Sequence, residues 1–201
     1  MGNELIKNRQ ATEQNLLNAV HVLVEEVGFE GLGINAIAAK AGVSKMLIYR
    51  YFNSLDGLIS AYIAQYDFWI NAKLEVPEKE HLGDFIKTIF ANQIKTMREN
   101  YTLRRLYRWE LAANNSFVTE LRHRRETKGM ELVACVSKVS GRPTSEVAFM
   151  ATLVTSSISY LVLLEENCPI YNGINIQQDE GWIQMGNGIN RLIDSWLLKQ
   201  K

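Results

Sequence analysis

In the stretch AGVSKMLIYRYF (Ala41–Phe52), Lys45, Met46, Tyr49 and Arg50 fall at spacings that gather them on the outer side of one short helix. Side chains of these types can read DNA. An arginine such as Arg50 can donate a bidentate pair to guanine, Met46 or Leu47 can pack on a thymine methyl, and Tyr49 can bond a phosphate. A buried helix would not carry Lys and Arg on its open face, and a purely solvated one has no need of two tyrosines.

The elements that must hold these residues are legible nearby. Ser44 is placed to cap the helix, its hydroxyl accepting from a free backbone N–H of the first turn. Val43 and Ile48 then occupy the two positions of a hydrophobic staple. Ile48 and Phe52, four apart, face the core; Met46 and Arg50 lie opposite, with Leu47 and Tyr49 on the flanks, and Lys45 extends past the helix end. The preceding pattern, Ile34, Ile37, Ala38 and Ala41, predicts another short helix closed by Gly42. Two short helices joined by a glycine turn make a helix-turn-helix, whose second helix fits a major groove. The spacing alone also fits a plain helical hairpin with solvated charges, because this geometry occurs in proteins that bind no DNA.

The rest of the chain reads as helix. Its 201 residues are 47% hydrophobic, enough for a substantial core, and disorder is not expected. Its three prolines mark breaks at Pro77, Pro143 and Pro169. Leu16, Val20, Leu23, Val24 and Val27 form one stripe, ended by Gly28. Leu55, Leu58, Ile59, Tyr62, Ile63 and Tyr66 form another, running towards Trp69 and Ile70. Beyond them HLGDFIKTIFANQIKTMREN, TLRRLYRWELAA and SFVTELRHRRETKGMELVACVSKVSG are helices with one apolar face. TSEVAFMATLVTSSISYLVLLEEN is apolar nearly all round, which requires that something bury it. NCPIYNGINIQQ is expected to be a loop. No leader follows MGNELIKNRQ, and no stretch approaches about 20 uninterrupted apolar residues, so a cytoplasmic protein without a membrane span is expected. The two cysteines, Cys135 and Cys168, fit a reducing compartment. Net charge is zero, yet Lys40, Lys45 and Arg50 are the charged residues between Gly31 and Ser54, a local basic face compatible with selective DNA binding.

The run INAIAAKAGVSKMLIYRYFNSLDGLISAYI resembles the DNA-binding segment of the TetR family of bacterial transcriptional regulators. The matching residues are Ile37, Ala38, Ala41, Gly42, Val43, Ser44, Tyr49, Tyr51 and Phe52, with Leu58 in the next helix, and the resemblance extends over roughly Asn15 to Ile63. It implies an all-α fold: a three-helix DNA-binding domain (1–53) joined to a larger helical ligand-binding and dimerisation domain (54–201). It implies a homodimer on a double-stranded operator, acting as a repressor released by a small-molecule effector. Lys45, Met46 and Leu47 would face the bases, while Tyr49, Arg50 and Tyr51 would share base and phosphate contacts. This chain departs from the family at Gly33, where Thr or Ser often caps the first motif helix, and at Leu55, where Lys often opens the next. Met46 replaces a common glycine. A helical small-molecule-binding protein or enzyme with a vestigial helix-turn-helix is the rival reading, and an activator shares every residue argument.

Other chemistry is thin. GLGINA (Gly31–Ala36), with Asp56 downstream, satisfies a dinucleotide fingerprint, but the fingerprint needs a strand before it and the preceding residues have helical spacing. His21, His81 and His123 are scattered away from the cysteines and from each other, so no metal site, cofactor or catalytic group is expected. Phe90, Met97, Tyr101, Tyr107, Trp109, Phe117, Met130 and Met150 can line an apolar effector cavity or simply fill the core, and Glu110 is the candidate polar anchor. The arginines of LRRLYR and LRHRRETK read as solvated faces, with an anionic ligand or a contact to the first domain as alternatives. The last helix carries Trp182, Met185, Ile189, Leu192 and Trp196 on one stripe. Paired with the apolar helix that holds Tyr160, it can form a two-fold four-helix interface, with Gly186 and Gly188 permitting close approach.

Overall fold

The computed structural model describes residues 2–66, 75–113 and 115–198; the stripe positions Trp69 and Ile70 lie outside them. Nine α-helices and one small hairpin make up the regular structure of the described residues, apart from two single-turn helices at Phe29–Gly31 and Lys79–His81. The chain divides into two compact units, Met1–Asn71 with Arg105–His123, and Ala72–Arg104 with Arg124–Lys201.

The first unit begins with α1 (Gly2–Val27), α2 (Ile34–Ala41), α3 (Lys45–Phe52) and α4 (Leu55–Tyr66). Leu16, Val20 and Val24 are fully buried on α1, as their spacing requires, and they meet Ile37 of α2, Ile48 of α3 and Leu58, Tyr62 and Ile63 of α4 in one core. Val27, expected on the same stripe, is 53% exposed, because the chain leaves the helix at Gly28 (φ 78°). α4 packs on α1 and α3, so it shares a core with the helices on the far side of the expected 53/54 boundary. Gly57 lets it do so: a Cβ there would lie 1.9 Å from the Phe52 carbonyl oxygen.

Two further helices begin or end in this unit, α6 (Tyr101–Ala112) and α7 (Ser116–Ser140). Trp109 stacks on Phe29 at 5.3 Å and meets Phe117 at 6.0 Å; Phe29 in turn meets Tyr62 at 6.5 Å. Arg105 reaches the last turn of α1, donating to the Val24 and Glu25 carbonyls at 2.5 and 3.3 Å. Arg122 donates to the Glu110 carbonyl. Some of the arginines read as solvated are therefore donors to carbonyls near helix ends; at Val24, Arg105 adds to the bond already donated by the Gly28 N–H at 3.1 Å.

The second unit is built on α5 (Leu82–Glu99), α8 (Thr144–Leu164) and α9 (Asp179–Leu198) with the distal part of α7. α5 buries Leu82, Ile86, Ile89, Phe90, Gln93 and Met97 along one face, against α8 and α9. The segment expected as a loop holds a hairpin instead, β1 (Ile170–Tyr171) and β2 (Ile174–Asn175), turned by Asn172 (φ 49°) and Gly173 (φ 83°). An Asn-Gly pair between Ile-Tyr and Ile-Asn is a strong hairpin signal, and two positive φ values in succession define the type I′ turn that such a pair favours. Behind it, Ile176 is fully buried and its carbonyl accepts from the Trp182 indole at 2.8 Å.

α8 departs from expectation. By length and composition it can cross a membrane, with a mean hydropathy of 2.0 over its most apolar window, of which 28% is buried within the chain. Its serines and threonines interrupt the apolar run without lowering the average far. Phe149, Leu153 and Tyr160 stand 65%, 44% and 55% exposed along one side.

Candidate nucleic-acid interface

The turn between α2 and α3 is fixed by backbone bonds. Gly42 adopts the left-handed conformation (φ 66°) and donates to Ala39, while Val43 donates to Ala38 at 3.0 Å. This pair of bonds is a Schellman closure, which only a residue tolerant of positive φ completes without strain. Ser44 follows in extended conformation and its hydroxyl accepts from the Met46 N–H at 3.3 Å, capping α3. Ile48, fully buried, pins the helix from behind, and Asn53 (φ 65°) ends it by donating to Tyr49.

A helix held this way presents a defined outer face. Met46 is 67% exposed and Tyr49 47%; Lys45 and Arg50 are exposed, and Leu47 and Tyr51 are half-buried. Among the described residues neither Lys45 nor Arg50 has an ion-pair partner. Lys40 does, binding both carboxylate oxygens of Glu26 at 2.7 and 2.9 Å, so the third cation of the local basic run is spent inside the unit. On α1 the Arg9 guanidinium, itself paired with Glu13 at 2.7 Å, lies 5.3 Å from the Tyr51 ring centre, and Arg50 lies 6.0 Å from the same ring. Sequence reasoning passed over Arg9, because the signal is a contact between residues 42 positions apart. The two family departures are also visible. Gly33 starts α2 in extended conformation without a side-chain cap, and Leu55 is half-buried behind Ser54, whose hydroxyl accepts from Gly57 N–H at 2.9 Å. The GLGINA run starts on the last residue of the single-turn helix Phe29–Gly31 and enters α2, and what precedes it is that turn and α1, helices rather than the strand the fingerprint needs.

Residues 16–62 match the family model described as bacterial regulatory proteins, tetR family. This is a tetR-family DNA-binding domain. The match covers α2, α3 and their α1 and α4 supports, the same elements that fix the outer face of α3. The similarity to these DNA-binding regulators is thus carried by residues 16–62, the segment that holds the α2–turn–α3 pair. No curated protein matches the chain.

The candidate pocket residues fall in both units, with Tyr101, 42% exposed, in the second. Tyr107, Trp109, Glu110 and Phe117 belong to the first unit, where Trp109 and Phe117 complete the aromatic cluster around Phe29 and Glu110 is 5% exposed. Phe90 and Met97 are buried on α5 of the second unit, Met150 is half-buried on α8, and Met130 is 51% exposed on α7. A polar residue that sequence reasoning missed sits beside Met97. Gln93 is buried, donates to Ser159 Oγ at 3.3 Å and the Thr155 carbonyl at 3.4 Å, and leaves its Oε1 with no hydrogen-bond partner. Its apolar-face position in the α5 stripe was the available signal. Elsewhere in this unit, Arg98 and Arg104 line a cleft with Glu165, Glu166 and Gln177. Arg98 binds Glu165 at 3.0 Å and Asp179 at 2.9 Å over the Trp182 ring, and Arg104 binds Glu166 at 3.2 Å. Burial lowers the Arg98 pKa, but its bonds to Glu165 and Asp179 outweigh that and raise it overall. These pairs tie the end of α5 and the start of α6 to the residues just after α8 and to the start of α9.

The candidate interface residues also separate. Trp182 and Ile189 are core residues of the second unit; Trp196 is half-buried with its indole on Glu146 at 3.0 Å, and Met185 is half-buried. Tyr160 and Leu192 are exposed, joined at the surface by Phe149, Leu153 and Ile183.

Proposed function

We propose that the chain is a homodimeric cytoplasmic repressor whose α3 reads an operator and which a small effector releases. The observation that carries this reading is the outer face of α3: two cations without carboxylate partners, an exposed methionine and an exposed tyrosine, on a helix fixed by its cap, the buried Ile48 and the Schellman turn. Such a face is wasteful in water and suits a groove that offers both phosphates and base edges. Residues 1–53 hold the reading surface, from Ser44, Lys45, Met46 and Leu47 to Tyr49, Arg50 and Tyr51. Residues 54–201 supply effector binding and dimerisation, with α4 bracing the reader. The effector has substantial apolar surface and lies against Phe90, Met97 and Met150, and Gln93 gives it one polar contact. The reading assigns no enzymatic step and no cofactor.

Binding to the chain's own upstream DNA, with a scrambled duplex as control at the same stated salt, tests the DNA half. Tight binding that Arg50→Ala weakens by about 1–3 kcal/mol, against weak binding to the scrambled duplex, is the expected result. Tyr49→Phe, which keeps the ring, should lose only the phosphate bond. Release is tested separately: an effector that displaces DNA 100-fold must favour the free form by about 2.7 kcal/mol. Operator affinity unchanged by a saturating effector would refute release while leaving DNA reading intact.

A further inference from the structure

We propose that Arg9 is a phosphate-contacting cation of the DNA-reading surface, seated beside α3 by the ring of Tyr51. This rests on the DNA-reading function of α3. Arg9 lies on α1, outside the helix-turn-helix, and its side chain is 59% exposed. Its Nε donates to Glu13 at 2.7 Å, which takes one of the five N–H donors of a guanidinium and fixes the side chain along the helix. The guanidinium then sits 5.3 Å from the Tyr51 ring centre, while Arg50 sits 6.0 Å from it on the reading helix itself. Two like charges sharing one ring repel each other, and the arrangement gains most when an anion lies against both. A duplex seated on α3 brings its phosphates to the edge of that helix, where Tyr51 and Arg9 stand. The arrangement also supplies donors where neither Gly33 nor Leu55 can donate from a side chain, because the bond to Glu13 leaves the other Arg9 N–H groups able to meet a phosphate.

A phosphate contact has a signature that a base contact lacks. It weakens binding to every sequence alike and lowers the salt dependence. Full-length wild type, Arg9→Gln, Arg9→Lys, Lys40→Gln and Arg50→Ala are compared on upstream and scrambled duplexes across a salt series. Helical circular dichroism and melting temperature are recorded for each. Arg9→Gln is expected to reduce the slope of log K against log salt by about 1 on both duplexes, with the ratio between them unchanged. Arg9→Lys should restore the slope, and Lys40→Gln should leave it at the wild-type value. A wild-type slope in Arg9→Gln, beside weakened binding in Arg50→Ala, overturns the role of Arg9 alone. An equal drop in Lys40→Gln overturns it too, because net charge would then be the cause. Wild-type protein that binds neither duplex at low salt overturns the DNA-reading function itself, and Arg9 with it.

Discussion

Gly33 shows how one side chain can separate stability from recognition. Its backbone is extended (φ −147°, ψ 148°), its carbonyl already accepts from Ile37 at 3.0 Å, and a Cβ added there would meet nothing within 4 Å. Glycine is thus not required by the backbone, and a hydroxyl would fit. Gly33→Thr should raise stability by only a few tenths of a kcal/mol, since Gly and Thr cap almost equally well. DNA affinity should rise more, because the new hydroxyl stands at the amino end of α2, where a phosphate is favoured. Melting and titration on the upstream duplex check both; unchanged affinity would mean that α2 does not approach the backbone. Ser44 is the opposite case. Its hydroxyl holds the first turn of the reading helix, so Ser44→Ala should cost about 0.5–2 kcal/mol in a denaturant melt. The cap was legible from the sequence because both bond partners lie within two residues of each other. Arg9 and Gln93 were not, because what defines them is a neighbour 42 or 66 positions away.

Among the elements, α4 depends on a close approach that only glycine permits. Gly57→Ala places a methyl 1.9 Å from the Phe52 carbonyl oxygen, so either α3 or the first turn of α4 must move. A loss of about 1–3 kcal/mol is expected, read as a lower unfolding midpoint. DNA affinity should fall further than stability if the end of α3 is what shifts. Arg105 is the second joint. Removing its guanidinium in Arg105→Ala deprives the Val24 and Glu25 carbonyls of a charged donor, and about 1.5–3 kcal/mol should be lost in the same melt. Helix positions followed from apolar periodicity because each helix buries one face, and the α5 stripe from Leu82 to Met97 matches its spacing. Periodicity does not reveal which helix lies opposite. It therefore left Trp109 and Phe117 as either cavity lining or core filling, and did not show that Trp109 stacks on Phe29 and meets Phe117. The hairpin at Asn172–Gly173 was written in the sequence, but its strands are too short to show alternation.

On the scale of the whole molecule, the unburied side of α8 decides what else the chain must do. A helix this apolar with most of its window uncovered needs a partner, and Phe149, Leu153 and Tyr160 form the stripe that partner would cover. In the proposed homodimer a second copy is that occupant, and it also serves DNA reading, since two reading helices about 34–36 Å apart meet successive turns of the major groove. The stripe lies outside the core, so charge can be placed on it without unfolding the unit. Phe149→Glu with Leu153→Glu should keep the wild-type helical signal and melting cooperativity but sediment as a monomer at concentrations where wild type is a dimer. Operator binding should weaken in parallel, because each monomer then holds a single half-site. A double variant that still sediments as a dimer would move the interface to α9, where Ile183 and Leu192 are exposed, and leave the face of α8 to some other cover.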